Sequence, residues 1–182
     1  YDRKATGIVR RIDDLGRLVV PKEIRRTLRI REGDPLEIFT DREGKVILKK
    51  YSPIGELGTL AGIYADSLSK TLDCTVCITD TDQVIAAAGN GKKELQEMLL
   101  SAELAEVFQE RKTVLKKSSD AEFVAITKDR SEYSEEIISV ILSEGDIAGG
   151  VIFLQKNEKK HFGEMEKKFA AGAADLLGRQ LS

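Results

Sequence analysis

At 182 residues, with a formal net charge of −2 and 33% charged side chains, the chain is sized for one or two small domains of ordinary globular composition. No stretch approaches the roughly 20 apolar residues of a membrane span, and the charged N-terminus lacks the apolar core of a secretory signal. With only two cysteines, a disulfide framework is excluded and the cytoplasm is the expected compartment.

The net charge conceals a division. Residues 1–50 hold 14 Lys plus Arg against 9 Asp plus Glu, whereas residues 51–182 hold 15 against 22. A basic head on an acidic body suits the head alone to a polyanion.

Taken in order, residues 6–28, TGIVRRIDDLGRLVVPKEIRRTL, set Arg10, Arg11, Arg17, Lys22, Arg25 and Arg26 among Ile8, Val9, Ile12, Leu18, Val19, Val20, Ile24 and Leu28. Two apolar runs flank Asp13-Asp14-Leu15-Gly16, which reads as a hairpin turn. Pro21 fits the first turn of a short helix, and Gly33-Asp34 followed by Pro35 reads as its stop. Leu36 to Thr40 and Val46 to Leu48 read as strands on either side of a second turn, Asp41-Arg42-Glu43-Gly44. Two hairpins and one helical turn are too little for an independent core, since a chain of this size buries only about 60% of its surface. Apolar residues also lie on both faces of the strands. A dimer that interleaves its hairpins is the economical solution. The arginines suit phosphate or the edge of guanine; an ordinary solvated charged face is the competing reading.

The run TGIVRRIDDLGRLVVPKEIRRTLRIREGDPLEIFTDREGKVILKKY carries GIVR, D-x-LGR, VPKEIRRTL and ILKKY in order. It resembles the AbrB/MazE/SpoVT swapped-hairpin DNA-binding family. The resemblance implies a dimeric swapped-hairpin β-barrel over residues 4–52 whose DNA-contacting positions fall on Arg10, Arg17, Arg25 and Arg26. Over the whole chain it implies a regulator of forespore genes in sporulation, working on double-stranded DNA at the nucleoid. Arg11 and Arg29 fit solvated surface as well as contact, and Lys4 fits a weak phosphate role. Asn and Gln are absent from residues 1–50, which moves the expected specificity toward DNA shape.

The remainder, 53–182, reads as a second domain, giving an α+β chain. An amphipathic helix over 54–72 carries Ile54, Leu57, Ala61, Tyr64, Leu68 and Leu72 on one seam. Strands are expected at 74–80, 84–88, 122–127, 137–143 and 147–155, with helices near 92–100 and 101–110. Gly149-Gly150 marks a close backbone approach, and a last helix runs from about His161 to Leu181. This order resembles the GAF fold of small-molecule sensors, an antiparallel sheet flanked by helices. It implies a domain for oligomerisation, with a tetramer built through its terminal helices and an unidentified small-molecule effector.

Cys74-Thr75-Val76-Cys77 is formally C-x-x-C, but strand positions three apart face opposite ways, so two small core or edge residues are preferred to a redox or metal pair. His161, the lone histidine, reads as a capping or surface residue. No catalytic, cofactor or metal site is expected, and the chain reads as a non-enzyme. The alternatives are an antitoxin-type protein binding a protein toxin, and a C-x-x-C redox protein.

Overall fold

The computed structural model describes residues 7–129 and 132–181, and the chain divides into two compact units, residues 1–51 and 52–182. Both turns of the first unit are built alike. The Asp13 N–H donates to the Arg17 carbonyl and the Gly16 N–H to the Asp13 carbonyl, both at 3.1 Å, with Gly16 at φ 76°. Asp41, Gly44 and Lys45 repeat the pattern at 3.1 and 3.4 Å, with Gly44 at φ 81°. A tight turn closed by a left-handed residue is the geometry of a three-residue hairpin loop, and glycine adopts it without strain.

The second turn closes a ladder: β1 (Leu36–Thr40) pairs antiparallel with β2 (Val46–Lys50), from Leu36 opposite Lys50 to Thr40 opposite Val46. The first does not. Residues 7–12 and 17–20, on either side of that turn, take no ladder partner among the described residues. The physical reason is burial: no described residue of 7–51 is buried, and Val9, Val19 and Ile38 stand 88%, 71% and 70% exposed. A lone two-stranded hairpin is marginal in water.

The short helix α1 (Lys22–Thr27) follows Pro21, but Gly33-Asp34 does not end it. Ile30 N–H reaches the Arg25 carbonyl at 2.8 Å and Arg29 N–H the Arg26 carbonyl at 3.3 Å, with Arg29 at φ 55°. This is a Schellman closure with arginine in the place glycine usually fills. Asp34 instead shapes its own turn, accepting from Arg31 N–H at 2.8 Å.

In the second unit the helix expected over 54–72 breaks at Leu57 into α2 (Pro53–Glu56) and α3 (Gly58–Leu72). Ser52 caps α2, accepting from Gly55 N–H at 3.0 Å while its hydroxyl donates to Asp80 at 2.8 Å. Five strands, β3 (Thr75–Thr79), β4 (Val84–Ala88), β5 (Thr113–Lys117), β6 (Glu135–Ser143) and β7 (Asp146–Gln155), form an antiparallel sheet in the order β4-β3-β7-β6-β5. The helices are α4 (Lys92–Leu95), α5 (Ala102–Phe108) and α6 (Glu164–Gln180).

Two further expectations are corrected. The helix near 92–100 is a single turn, because Leu99 and Leu100 leave it to bridge Gln83 and Thr127. Residues 122–127 are not a strand; the strand that edges the sheet beside β6 is β5, and Val124 instead donates its N–H to Glu136 at 2.9 Å.

The sheet is covered on both faces. Val76, Ile78, Ile137, Ile141 and Phe153 pack with Ala61, Ala65, Ala170, Ala174 and Leu177, while Cys77, Ile138, Ile152 and Leu154 pack with Leu95, Leu104 and Phe108. Alternation along β3, β6 and β7 therefore feeds two cores from the same strands. The close approach expected at Gly149 is present, since a Cβ there would stand 1.8 Å from the Thr79 carbonyl oxygen. A second one lies at Gly178, where a Cβ would meet the Leu142 carbonyl oxygen at 2.1 Å.

Gly178→Ala should therefore lower the stability of this unit by about 1–3 kcal/mol through overpacking. Gly62→Ala, in α3 with open space around the missing Cβ, should raise it by up to about 1 kcal/mol. Urea unfolding of the two variants checks the contrast.

Candidate nucleic-acid interface

The basic side chains of the head are surface groups set by the first hairpin and α1. Arg17 follows Gly16 directly, and Asp13 grips it twice: Asp13 Oδ1 accepts the Arg17 main-chain N–H at 2.8 Å, and Oδ2 accepts Nε at 2.7 Å. The Leu15 N–H also donates to Oδ1 at 3.0 Å. The Arg17 main-chain N–H, and then its side chain, hold the Asp13 carboxyl below the usual carboxylate range. In α1, Arg25 donates Nε to the Val20 carbonyl at 3.1 Å, which folds its stem back over the end of the second arm.

Arg10, Arg11 and Arg26 are exposed and have no side-chain partner among the described residues. Lys4 lies outside the described residues. Of the six positions singled out from the sequence, the structure thus orients two, Arg17 and Arg25, and leaves Arg10, Arg11 and Arg26 as solvated cations. Ile24 and Leu28, one turn apart at α1 and its end, are 38% and 52% exposed in the single chain.

In the second unit the C-x-x-C pair is split by the sheet. Cys74 belongs to the core on one face and Cys77 to the core on the other, and burial pushes both thiols up to about 12. Such thiols carry almost no thiolate at neutral pH. His161 is bonded through Nδ1 to Glu135 at 2.7 Å, and Glu135 also accepts the Phe162 N–H at 3.2 Å; the pair ties the approach to α6 onto β6. Among the described residues no group of three or more His, Cys, Asp or Glu side chains is placed to hold a metal.

Three features escaped the sequence reading. Asp13 was legible only as a turn residue, although D-x-x-G-basic recurs at Asp41-x-x-Gly44-Lys45. Glu136 is buried beside the well-bonded Glu135; two consecutive acids leading into an apolar strand are the signal, since one of them must face each core. Between α3 and α6 lies an apolar groove of about 530 Å³, lined in part by Tyr64, Leu68, Met165, Phe169 and Leu176.

The fold of the second unit is that of GAF domains. The chain superposes on the GAF domain of an Acinetobacter phosphoenolpyruvate-protein phosphotransferase with a TM-score of 0.58 at 14% identity, over 73% of this chain and 84% of that one. Its first 50 or so residues are 64% identical, over 50 residues, to the transition state regulatory protein AbrB of Bacillus subtilis, which is 28% of this chain and 51% of that one. Residues 9–56 match the family described as antidote-toxin recognition MazE, bacterial antitoxin. An AbrB-like basic head on a GAF-fold body defines a two-domain DNA-binding transcriptional regulator. Residues 56–182 match the family described as stage V sporulation protein T C-terminal, transcription factor, and the chain is 50% identical to stage V sporulation protein T of Bacillus subtilis over 98% of both. The chain belongs to the stage V sporulation protein T family.

Glu136 yields a pH prediction. Its Oε1 accepts the Val124 N–H, its Oε2 is buried without a partner among the described residues, and burial raises its carboxyl to about 7 against that bond and the nearby Lys116 charge. The folded state thus holds a proton that the unfolded chain releases near pH 4.5. The stabilisation is fully present below pH 4.5 and is lost as pH rises through about 7. Glu136→Gln keeps the Val124 bond and removes the ionisation. It should gain up to about 3 kcal/mol over the parent at pH 8 and little at pH 4.5, read by denaturant unfolding at both pH values.

Proposed function

We propose that two copies interleave their hairpins into one barrel over residues 4–52 and present Arg10, Arg17, Arg25 and Arg26 from each copy to double-stranded DNA, with Arg11 and Lys4 at flanking phosphates. The protein then works in the cytoplasm, at the nucleoid, as a regulator of sporulation genes and carries out no catalysis of its own. One observation carries this reading: no described residue of the head is buried, while its arginines lie on the surface. A second copy gives the unpaired arms of the first hairpin a ladder and covers their apolar side chains. It also doubles the cations. Eight arginines at phosphates give a log–log salt dependence with slope of order −7.

The domain over 53–182 serves assembly. Met165 and Leu176, 60% and 52% exposed, edge the α3–α6 groove, and a second copy of the same helices fits it as a self-complementary interface. Together with the barrel this makes a tetramer with two DNA-binding heads, whose avidity exceeds that of either head alone. A small-molecule effector of the GAF-fold domain would act by changing how the α3 helices pair, and so the spacing of the heads. The antitoxin alternative is disfavoured by a body with two closed cores, because a toxin-wrapping tail folds on its partner. Redox use of Cys74 and Cys77 is disfavoured by their places on opposite faces of the sheet.

Fluorescence anisotropy across a salt series tests the head. Arg17→Ala should weaken DNA binding and make the slope shallower by about 2, one contact per copy; salt-insensitive binding, or a variant identical to the parent, would overturn the reading. Light scattering tests the body. Phe169→Asp in the groove should reduce a tetramer to a dimer that still binds DNA, and a parent that is already a dimer at all concentrations would remove the second interface.

A further inference from the structure

We propose that Asp13 is a positioning residue for Arg17, fixing its guanidinium plane so that the two terminal nitrogens are already presented when DNA arrives. This rests on the proposed DNA-contacting role of Arg17.

A carboxylate in a segment that meets phosphate is an electrostatic liability, because it repels the ligand that the surrounding arginines attract. Turn chemistry alone does not demand it. Asn supplies the same side-chain oxygen to the main-chain N–H groups that follow. What Asp adds is the second oxygen. Oδ1 accepts from Leu15 N–H at 3.0 Å and Arg17 N–H at 2.8 Å, which sets the plane of the carboxylate. Oδ2 is thereby aimed at Arg17 Nε, 2.7 Å away.

Nε is the nitrogen at the end of the flexible stem. A bond there fixes the orientation of the planar fork and leaves Nη1 and Nη2 for a bidentate grip on phosphate or guanine. The second hairpin supplies an internal comparison. Asp41 Oδ1 accepts from Glu43 and Lys45 N–H at 3.0 and 2.8 Å, yet Lys45 Nζ is 3.7 Å from its Oδ2. The turn is the same; the stem-nitrogen contact belongs to the arginine hairpin. Arg25 is held through Nε too, on the Val20 carbonyl, so two of the four arginines are oriented from behind. Asp13 and Arg17 are both exposed, and exposed ion pairs add little to stability. The consequence of the contact is read in DNA binding.

The test uses the full chain, a duplex selected by the parent from a random pool, and a scrambled duplex of equal length and composition. Asp13→Asn keeps the turn acceptor, removes one negative charge, and places an amide donor against the guanidinium. The proposal expects a loss of about tenfold on the selected duplex, equal or tighter binding to the scrambled one, and an unchanged melting temperature. In an Arg17→Ala background the Asp13→Asn effect should fall to within twofold. Arg17→Lys, which keeps charge, turn and Asp13 but has no Nε, should lose as much as Asp13→Asn. Parent-like or tighter binding of Asp13→Asn to the selected duplex, or parent-like binding of Arg17→Lys, overturns the proposal while leaving Arg17 as a contact. Equal losses on both duplexes with a lowered melting temperature overturn it in favour of a turn role alone. If Arg17→Ala is indistinguishable from the parent, the DNA-contacting role of Arg17 itself fails.

Discussion

Everything in the head depends on apolar surface that one chain cannot hide. Val9, Ile12, Leu18 and Val19 line the two arms of the first hairpin, and all are exposed. Fully burying one such side chain is worth roughly 1.5–3 kcal/mol, and in the single chain that stabilisation is mostly missing. Turn chemistry survives without it, because Asp13, Gly16 and Arg17 close the loop by local bonds. The arms do not, because ladder bonds follow burial. On the proposed reading, folding of the head and association are one event, as in obligate dimers whose stability depends on protomer concentration. In that proposed dimer, the symmetry that completes the core also presents every arginine twice.

The GAF-fold unit has the opposite economy. Its strands bury both faces, and its small residues let helix and sheet backbones approach closely at Gly178 and Gly149. Where β6 begins, two neighbouring acids are forced onto opposite faces. Glu135 finds His161 and the Phe162 N–H, so its burial is matched by donors. Among the described residues Glu136 finds only the Val124 N–H for one of its oxygens, and its burial favours the neutral carboxyl over the charged one. Residues 122–127, apolar enough to read as a strand, commit their main-chain groups to separate partners: the Val124 N–H to Glu136, and the Ala125 and Ile126 carbonyls to the Ser101 hydroxyl and N–H.

What was legible in the sequence was what local chemistry determines. The two Asp-to-Gly turns, the strands over 137–143 and 147–155, the glycine pair at the sheet centre and the opposed cysteines all follow from the period of two along a strand or from residues that tolerate φ above zero. Features set by nonlocal pairing were not legible. β5, Thr113-Val114-Leu115-Lys116-Lys117, ends in two lysines and carries no strand expectation of its own; its pairing with β6 defines it. The end of α1 was misplaced because arginine, not glycine, takes the left-handed position. At the candidate site, the arginines were visible as charge, but which of them is held could not be seen. That depends on Asp13 Oδ2 and the Val20 carbonyl, acceptors that a residue pattern does not distinguish from ordinary turn and strand groups.

Charge alone gives the head affinity without discrimination, since phosphates look alike in every sequence. Its first 50 residues have no Asn or Gln, the side chains that read adenine most directly. On the proposed reading, discrimination comes from where the guanidinium groups are held, either toward a guanine edge or along a groove whose width the sequence sets. A solvated arginine can follow whatever phosphate is offered, whereas an arginine fixed through its stem nitrogen cannot. Arg10 and Arg26 have the freedom of the first kind, Arg17 and Arg25 the constraint of the second. On the proposed reading, affinity and selectivity are divided among four residues of one type, and the division is made by what stands behind each of them.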